Sequence, residues 1–167
     1  SWLKNNNCCK WRKCMNVYKY LENLKIEYQK LEHQPVATVK EAMFIEDMME
    51  GTGVKNLFLK NDDQKYFLYI LKGNKRADLK ALAKKLNSRK LHFASEEELK
   101  EYLNLLPGSV SLLGIINDTG RVKVVIDQEL VWMRLLFHPN DNNATISLKY
   151  DDVLKVINNC GNDLIIY

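Results

Sequence analysis

Three separated stretches of the 167-residue chain carry groups able to do polar chemistry: Lys55-Asn56, Gly108-Ser109-Val110-Ser111 and His138-Pro139. Lys55 follows Gly51-Thr52-Gly53 and sits at the start of the alternating run Val54 to Lys60, partly apolar on both faces. That pattern is a strand inside a sheet covered on both sides. On this stretch alone the solvated strand-end lysine is the favoured reading. The sharper one is a cation at the mouth of a cleft. The second stretch lies in a loop from Leu105 to Gly114, rich in small side chains and punctuated by two glycines. Its backbone N–H groups can converge into a nest for an anion or oxyanion, although an ordinary connector is the simpler reading. His138 ends a strand before Pro139, a structural position as readily as a chemical one, with a charge that is tunable near neutral pH.

The elements that must position these groups follow from periodicity. Val17, Tyr18, Leu21 and Leu24 predict a helix from about Met15 to Leu24. Ile26, Tyr28 and Lys30 alternate as a short strand toward His33, and Pro35 disfavours helix at Gln34. Thr38 and Glu41 have capping-box spacing, and the helix they open runs to about Met49, with Ala42, Ile45, Met48 and Met49 on one side and Gly51 as its stop. Val54–Lys60 and Lys65–Leu71 form a hairpin around Asn61–Gln64. Asp78 caps a helix ending near Asn87, Lys90–Ala94 is a short strand, and Ser95 with Glu98 is a second capping box, for a helix to about Leu103. Gly114–Asn117 is expected to enter a strand, with Val122–Ile126 returning from the turn at Asp118–Gly120. Asp127–Val131 is a turn or helical piece; Leu135–Pro139 and Ala144–Leu148 are strands. Tyr150–Asn158 is an amphipathic helix, and Leu164–Ile166 a last strand. Strands joined by short turns yet interleaved with helices predict an α+β (mixed α/β) domain, a largely antiparallel mixed sheet or partial barrel surrounded by helices.

Bulk properties narrow the classes. A hydrophobic fraction of 46% and a charged fraction of 28% are those of a globular domain, and the length suits one core rather than two. No apolar run approaches a membrane span, and no apolar segment follows the early basic residues as a secretory signal requires. The net charge of +4 comes from residues 1–14, which hold Lys4, Lys10, Arg12 and Lys13 and no acid. They read as a basic, disordered tail ahead of a single domain over 15–167, able to add weak, salt-sensitive attraction to phosphate. Cys8, Cys9, Cys14 and Cys160 lack zinc or disulfide spacing, which favours reduced thiols and a cytoplasmic setting. No cofactor or metal is expected. The absence of G-x-G-x-x-G, Walker, H-E-x-x-H and serine-elbow motifs weighs against nucleotide hydrolysis and metalloprotease chemistry. The first residue is Ser rather than Met, which suggests trimming or excision from a longer protein.

Five blocks together, His33-x-Pro35-Val36-x-Thr38, Lys55-Asn56-Leu57-Phe58-Leu59, Pro107-Gly108-Ser109-Val110-Ser111, Ile116-Asn117-Asp118 and Phe137-His138-Pro139, resemble the bacterial-type prolyl-tRNA-editing family of YbaK/ProX type. The likeness spans roughly residues 15–167. It implies an aminoacyl-tRNA deacylase, free-standing or appended to prolyl-tRNA synthetase. Such an enzyme removes a wrong amino acid from the tRNA acceptor end: alanine on proline tRNA in the branch with K-N-L-F-L, cysteine in another. The implied catalytic set is Lys55, Gly108, Ser109 and His138. The N–H groups of 108–111 would hold the ester carbonyl, and Lys55 the terminal phosphate or ribose. His33, Thr38, Asn56, Val110, Ser111, Leu112 and Asn117 would complete the substrate site. One departure stands out: the family loop places proline four residues after its glycine, where this chain has Leu112, which loses a fixed φ and regains an N–H. The alternatives are a non-catalytic accessory module binding tRNA or a synthetase, and a deacylase for cysteine or another small amino acid.

Overall fold

The structure, a computed structural model, describes residues 16–36, 39–141 and 143–167. The basic tail of residues 1–14 and the Thr38 half of the first capping box lie outside the described residues. Helix α1, Val17–Asn23, is capped by Asn16, whose Oδ1 accepts from the Lys19 N–H at 2.8 Å. Ile26, expected in a strand, instead bonds its N–H to Leu21 O and seals the end of that helix. Strand β1 therefore starts later, at Gln29–Glu32. Then come α2 (Val39–Met48), β2 (Thr52–Lys60), β3 (Tyr66–Lys72), α3 (Leu79–Lys85), β4 (His92–Phe93) and α4 (Glu96–Leu103). The second half holds β5 (Val122–Ile126), β6 (Leu135–Phe137), β7 (Ala144–Leu148), α5 (Tyr150–Cys160) and β8 (Leu164–Ile166), with 3₁₀ turns at Leu112–Asn117 and Gln128–Leu130.

The sheet runs β1-β7-β6-β2-β3-β5-β8, with β4 also on β2. The β1–β7, β6–β7, β2–β3 and β2–β4 pairings are antiparallel. The β2–β6, β3–β5 and β5–β8 pairings are parallel. β3 is the centre. Tyr66, Leu68 and Ile70 point into the larger core, where α1, α4 and α5 pack, while Phe67, Tyr69 and Leu71 point to a second core beneath α3. Period-two alternation with both faces apolar is what a covered central strand requires. Burial of side chains such as Leu68 and Ile70, both 0% exposed, contributes about 1.5–3 kcal/mol each.

The expected strand at Gly114–Asn117 is a correction: Leu112–Asn117 is 3₁₀ helix. Ser111 caps it, its Oγ accepting from Leu113 N–H at 3.2 Å. All five residues from Leu112 to Ile116 are buried, and a short run buried on every side carries no period to separate helix from strand. The second capping box is present as expected, with Ser95 and Glu98 bonding reciprocally at 3.0 and 3.1 Å.

Candidate active site

The site arises where the sheet forks. β2 pairs with β6 only at Thr52 and Gly53, and with β4 only at Leu59 and Lys60. Along that edge the middle of β2 has no strand partner among the described residues, because β6 leaves it to pair with β7 through Phe137. Strands that separate after a short parallel contact leave a hollow between them, and α2 roofs this one. The hollow is a cavity of about 370 Å³. Its floor is Thr52 to Asn56 of β2, one wall is Leu136, Phe137, His138 and Thr145, another is Lys72-Gly73-Asn74, and Val36, Ala42, Met43, Ile45 and Glu46 close it.

Lys55, Asn56 and His138, named from sequence, line this one cavity. Lys55 is half-buried and makes no ion pair among the described residues. The Nδ1 of His138 lies 3.1 Å from the carbonyl of Ala144. A carbonyl only accepts, so Nδ1 carries the proton and Nε2 is left as the basic nitrogen of the neutral ring. The same logic orders His33, which does not line the cavity. Its Nδ1 donates to Gln34 O at 2.7 Å, so its Nε2, at 2.8 Å, accepts from the Thr145 hydroxyl. His33 thus sits behind a cavity residue and fixes it, with the two histidine rings 6.3 Å apart.

The Gly108 loop lies on the far side of Asn56 and does not line the cavity. The link is one hydrogen bond, Leu112 N–H to Asn56 Oδ1 at 2.8 Å. This bond orients the amide, leaving Asn56 Nδ2 as the group available to a substrate. Gly108 has φ +85°, the left-handed region that favours glycine, with open space where a side chain would be. The N–H of Ser109 is committed to Leu106 O, which takes it out of the donor set expected for the ester carbonyl. Ser111 is fully buried as the 3₁₀ cap, Val110 is half-buried against the core, and Leu112 is a core residue at 0% exposure that leaves the cavity clear. Asn117 is also apart from the cavity, its Nδ2 donating to Leu103 O at 2.9 Å.

Sequence reasoning missed Glu46, Lys72, Asn74 and Thr145. Glu46 had a usable signal, since it lies three and four residues from Met43 and Ala42 and so shares their face of α2. Lys72, Asn74 and Thr145 had none, because only strand pairing brings them to the fork.

The site is thus a mixed sheet forked over Lys55, Asn56 and His138, with the loop after Gly108 bonded to its edge through Leu112. The aminoacyl-tRNA editing domain family matches residues 33–156, and the chain belongs to that family. It is 42% identical over 145 residues to the prolyl-tRNA editing protein ProX of Acetoanaerobium sticklandii, covering 85% of this chain and 88% of that protein. It is 36% identical over 152 residues to prolyl-tRNA synthetase associated domain-containing protein 1 of Bos taurus, covering 87% and 89%. The fold is also similar to the crystal structure of hypothetical protein APE2540, with a TM-score of 0.72 over 90% of this chain and 97% of that one at 16% identity, a likeness of fold alone. No helix among the described residues is long and apolar enough to cross a membrane.

Proposed function

We propose that this chain hydrolyses the ester between a wrongly attached amino acid and the terminal adenosine of a tRNA, with alanine on proline tRNA as the preferred substrate. The observation that carries the reading is the grouping of Lys55, Asn56 and His138 around one cavity, with the Gly108 loop a single hydrogen bond away. An aminoacyl ester is already activated. Its hydrolysis needs a positioned water or ribose hydroxyl and a donor set for the developing oxyanion, rather than a strong protein nucleophile. Lys55 binds the terminal phosphate or ribose edge, and Asn56 Nδ2 orients the ribose. Of the loop N–H groups, those of Gly108 and Val110 are the ones we assign to the carbonyl, Ser111 being fully buried, and His138 Nε2 is placed to accept a proton.

The need for such a second site is energetic. A synthetase pocket that admits proline gains only about 1–3 kcal/mol against a ligand one methylene smaller. A smaller cavity that excludes proline by overlap supplies the missing discrimination. We place the activity in the cytoplasm, acting on the tRNA acceptor end, beside prolyl-tRNA synthetase or independently of it. The test is a panel of proline tRNA charged with alanine, cysteine or proline. Alanine is expected to be released fastest and proline left in place. Salt-sensitive tRNA binding without release of any amino acid would instead make this a binding module.

A further inference from the structure

Among the described residues lining the cavity, Glu46 is the sole carboxylate; it is solvent-exposed, and the same lining holds the cations Lys55 and Lys72. It stands on α2, and its carboxylate lies directly on the α-carbon of Gly53. A Cβ built there would fall 1.6 Å from Glu46 Oε1 and 2.7 Å from its Cδ. The backbone of Gly53 is outside the left-handed region that demands glycine, unlike that of Gly51 and Gly108. Glycine at 53 lets the Glu46 carboxylate lie against the strand, and a Cβ there would turn that exposed, flexible side chain aside at little cost to the fold. Yet Glu46 makes no ion pair with either lysine, so neutralising those cations does not account for its place.

We infer that Glu46, seated over Gly53, is the subsite for the α-ammonium group of the aminoacyl ester, which makes it a specificity-determining residue. This rests on the editing function proposed above. The α-ammonium is the one cationic group next to the reacting carbonyl, and a carboxylate in a partly enclosed cavity recognises it through a charge-assisted hydrogen bond. With the ammonium held at Gly53 and the adenosine end at Lys55, the carbonyl between them is brought toward Asn56 and the loop it holds. Esters lacking the ammonium lose that alignment.

The experiment compares wild type with Glu46→Gln on alanyl-tRNA and on lactyl-tRNA, which carries a hydroxyl where alanine has its ammonium. Wild type is expected to prefer the alanyl ester. Glu46→Gln is expected to lower kcat/KM for that ester roughly ten- to hundredfold, the range of one hydrogen bond to a charged group, and to leave the lactyl rate within about twofold. Gly53→Ala, which displaces the carboxylate without removing it, is expected to show the same substrate-dependent loss. An equal loss on both esters, or no loss on either, overturns the inference, because a structural role or a pairing with Lys55 does not distinguish them. If wild type releases neither acyl group, the editing function itself fails, and the subsite with it.

Discussion

The hydrogen bond from Leu112 N–H to Asn56 Oδ1 can be weighed by exchanging both of its partners. Asn56→Ala leaves a part-buried N–H without its acceptor, which costs about 1–3 kcal/mol. Leu112→Pro removes the donor instead. The backbone already suits proline: Leu112 opens the 3₁₀ helix, its N–H bonds a side chain outside that helix, and Ser111 before it is extended at φ −146°, ψ 145°. What Leu112→Pro loses is buried apolar volume, about 1–2 kcal/mol for one or two methylene equivalents. In the proline background Asn56→Ala has no N–H to orphan, so its cost should fall below about 0.5 kcal/mol, a coupling of about 1–2 kcal/mol between the two sites. Urea unfolding of the four proteins measures this directly, and alanyl-tRNA deacylation on the same set shows whether tying the loop matters to rate. Additive changes within about 0.5 kcal/mol would refute the clamp and leave Asn56 as a substrate contact only.

Acid sensitivity should trace in part to Glu98. Burial raises its carboxyl, but bonds from the Tyr66 hydroxyl, Ser95 and Lys60 outweigh this and hold it down to about 2. A carboxyl depressed on folding stabilises the native state fully above its ordinary range and loses that contribution as pH falls through about 2. The stability difference between wild type and Glu98→Gln in urea should therefore hold from pH 7 to about 5 and shrink as pH falls from there toward 2; a constant difference over the whole range would contradict it. Gly114→Ala should destabilise by about 1–3 kcal/mol, because its Cβ would meet Leu105 Cδ1 at 2.6 Å and Leu103 Cβ at 3.2 Å; thermal unfolding reads this. His33→Ala should slow deacylation less than His138→Ala in single-turnover assays, since it acts through Thr145, and the reverse order would reassign the two histidines.

Much of the fold was legible because its strongest signals are local. The two-faced alternation of Tyr66 to Leu71 marks a covered strand whatever its neighbours, and Ser95 with Glu98 announces a helix start by spacing alone. The parallel joins β2–β6, β3–β5 and β5–β8 were not legible, since the partners lie far apart in the chain and the short turns suggest antiparallel neighbours. The same limit applies to the site. Lys55, Asn56 and His138 stood out as polar groups at strand ends, and they share a cavity. Asn117, named only through the family resemblance, bonds Leu103 O instead. Helical spacing could place Glu46 on the face of Met43 and Ala42, but not over a glycine seven residues later on another element.

The central claim is that the forked edge of β2 presents Lys55 to an aminoacyl ester. Single-turnover release of alanine from alanyl-tRNA specific for proline, by wild type and Lys55→Ala at equal enzyme excess, tests it most directly. Release by wild type with a loss of roughly ten- to hundredfold in the variant, the scale of one charge-assisted contact, is the predicted result. Equal rates in the two proteins would contradict it.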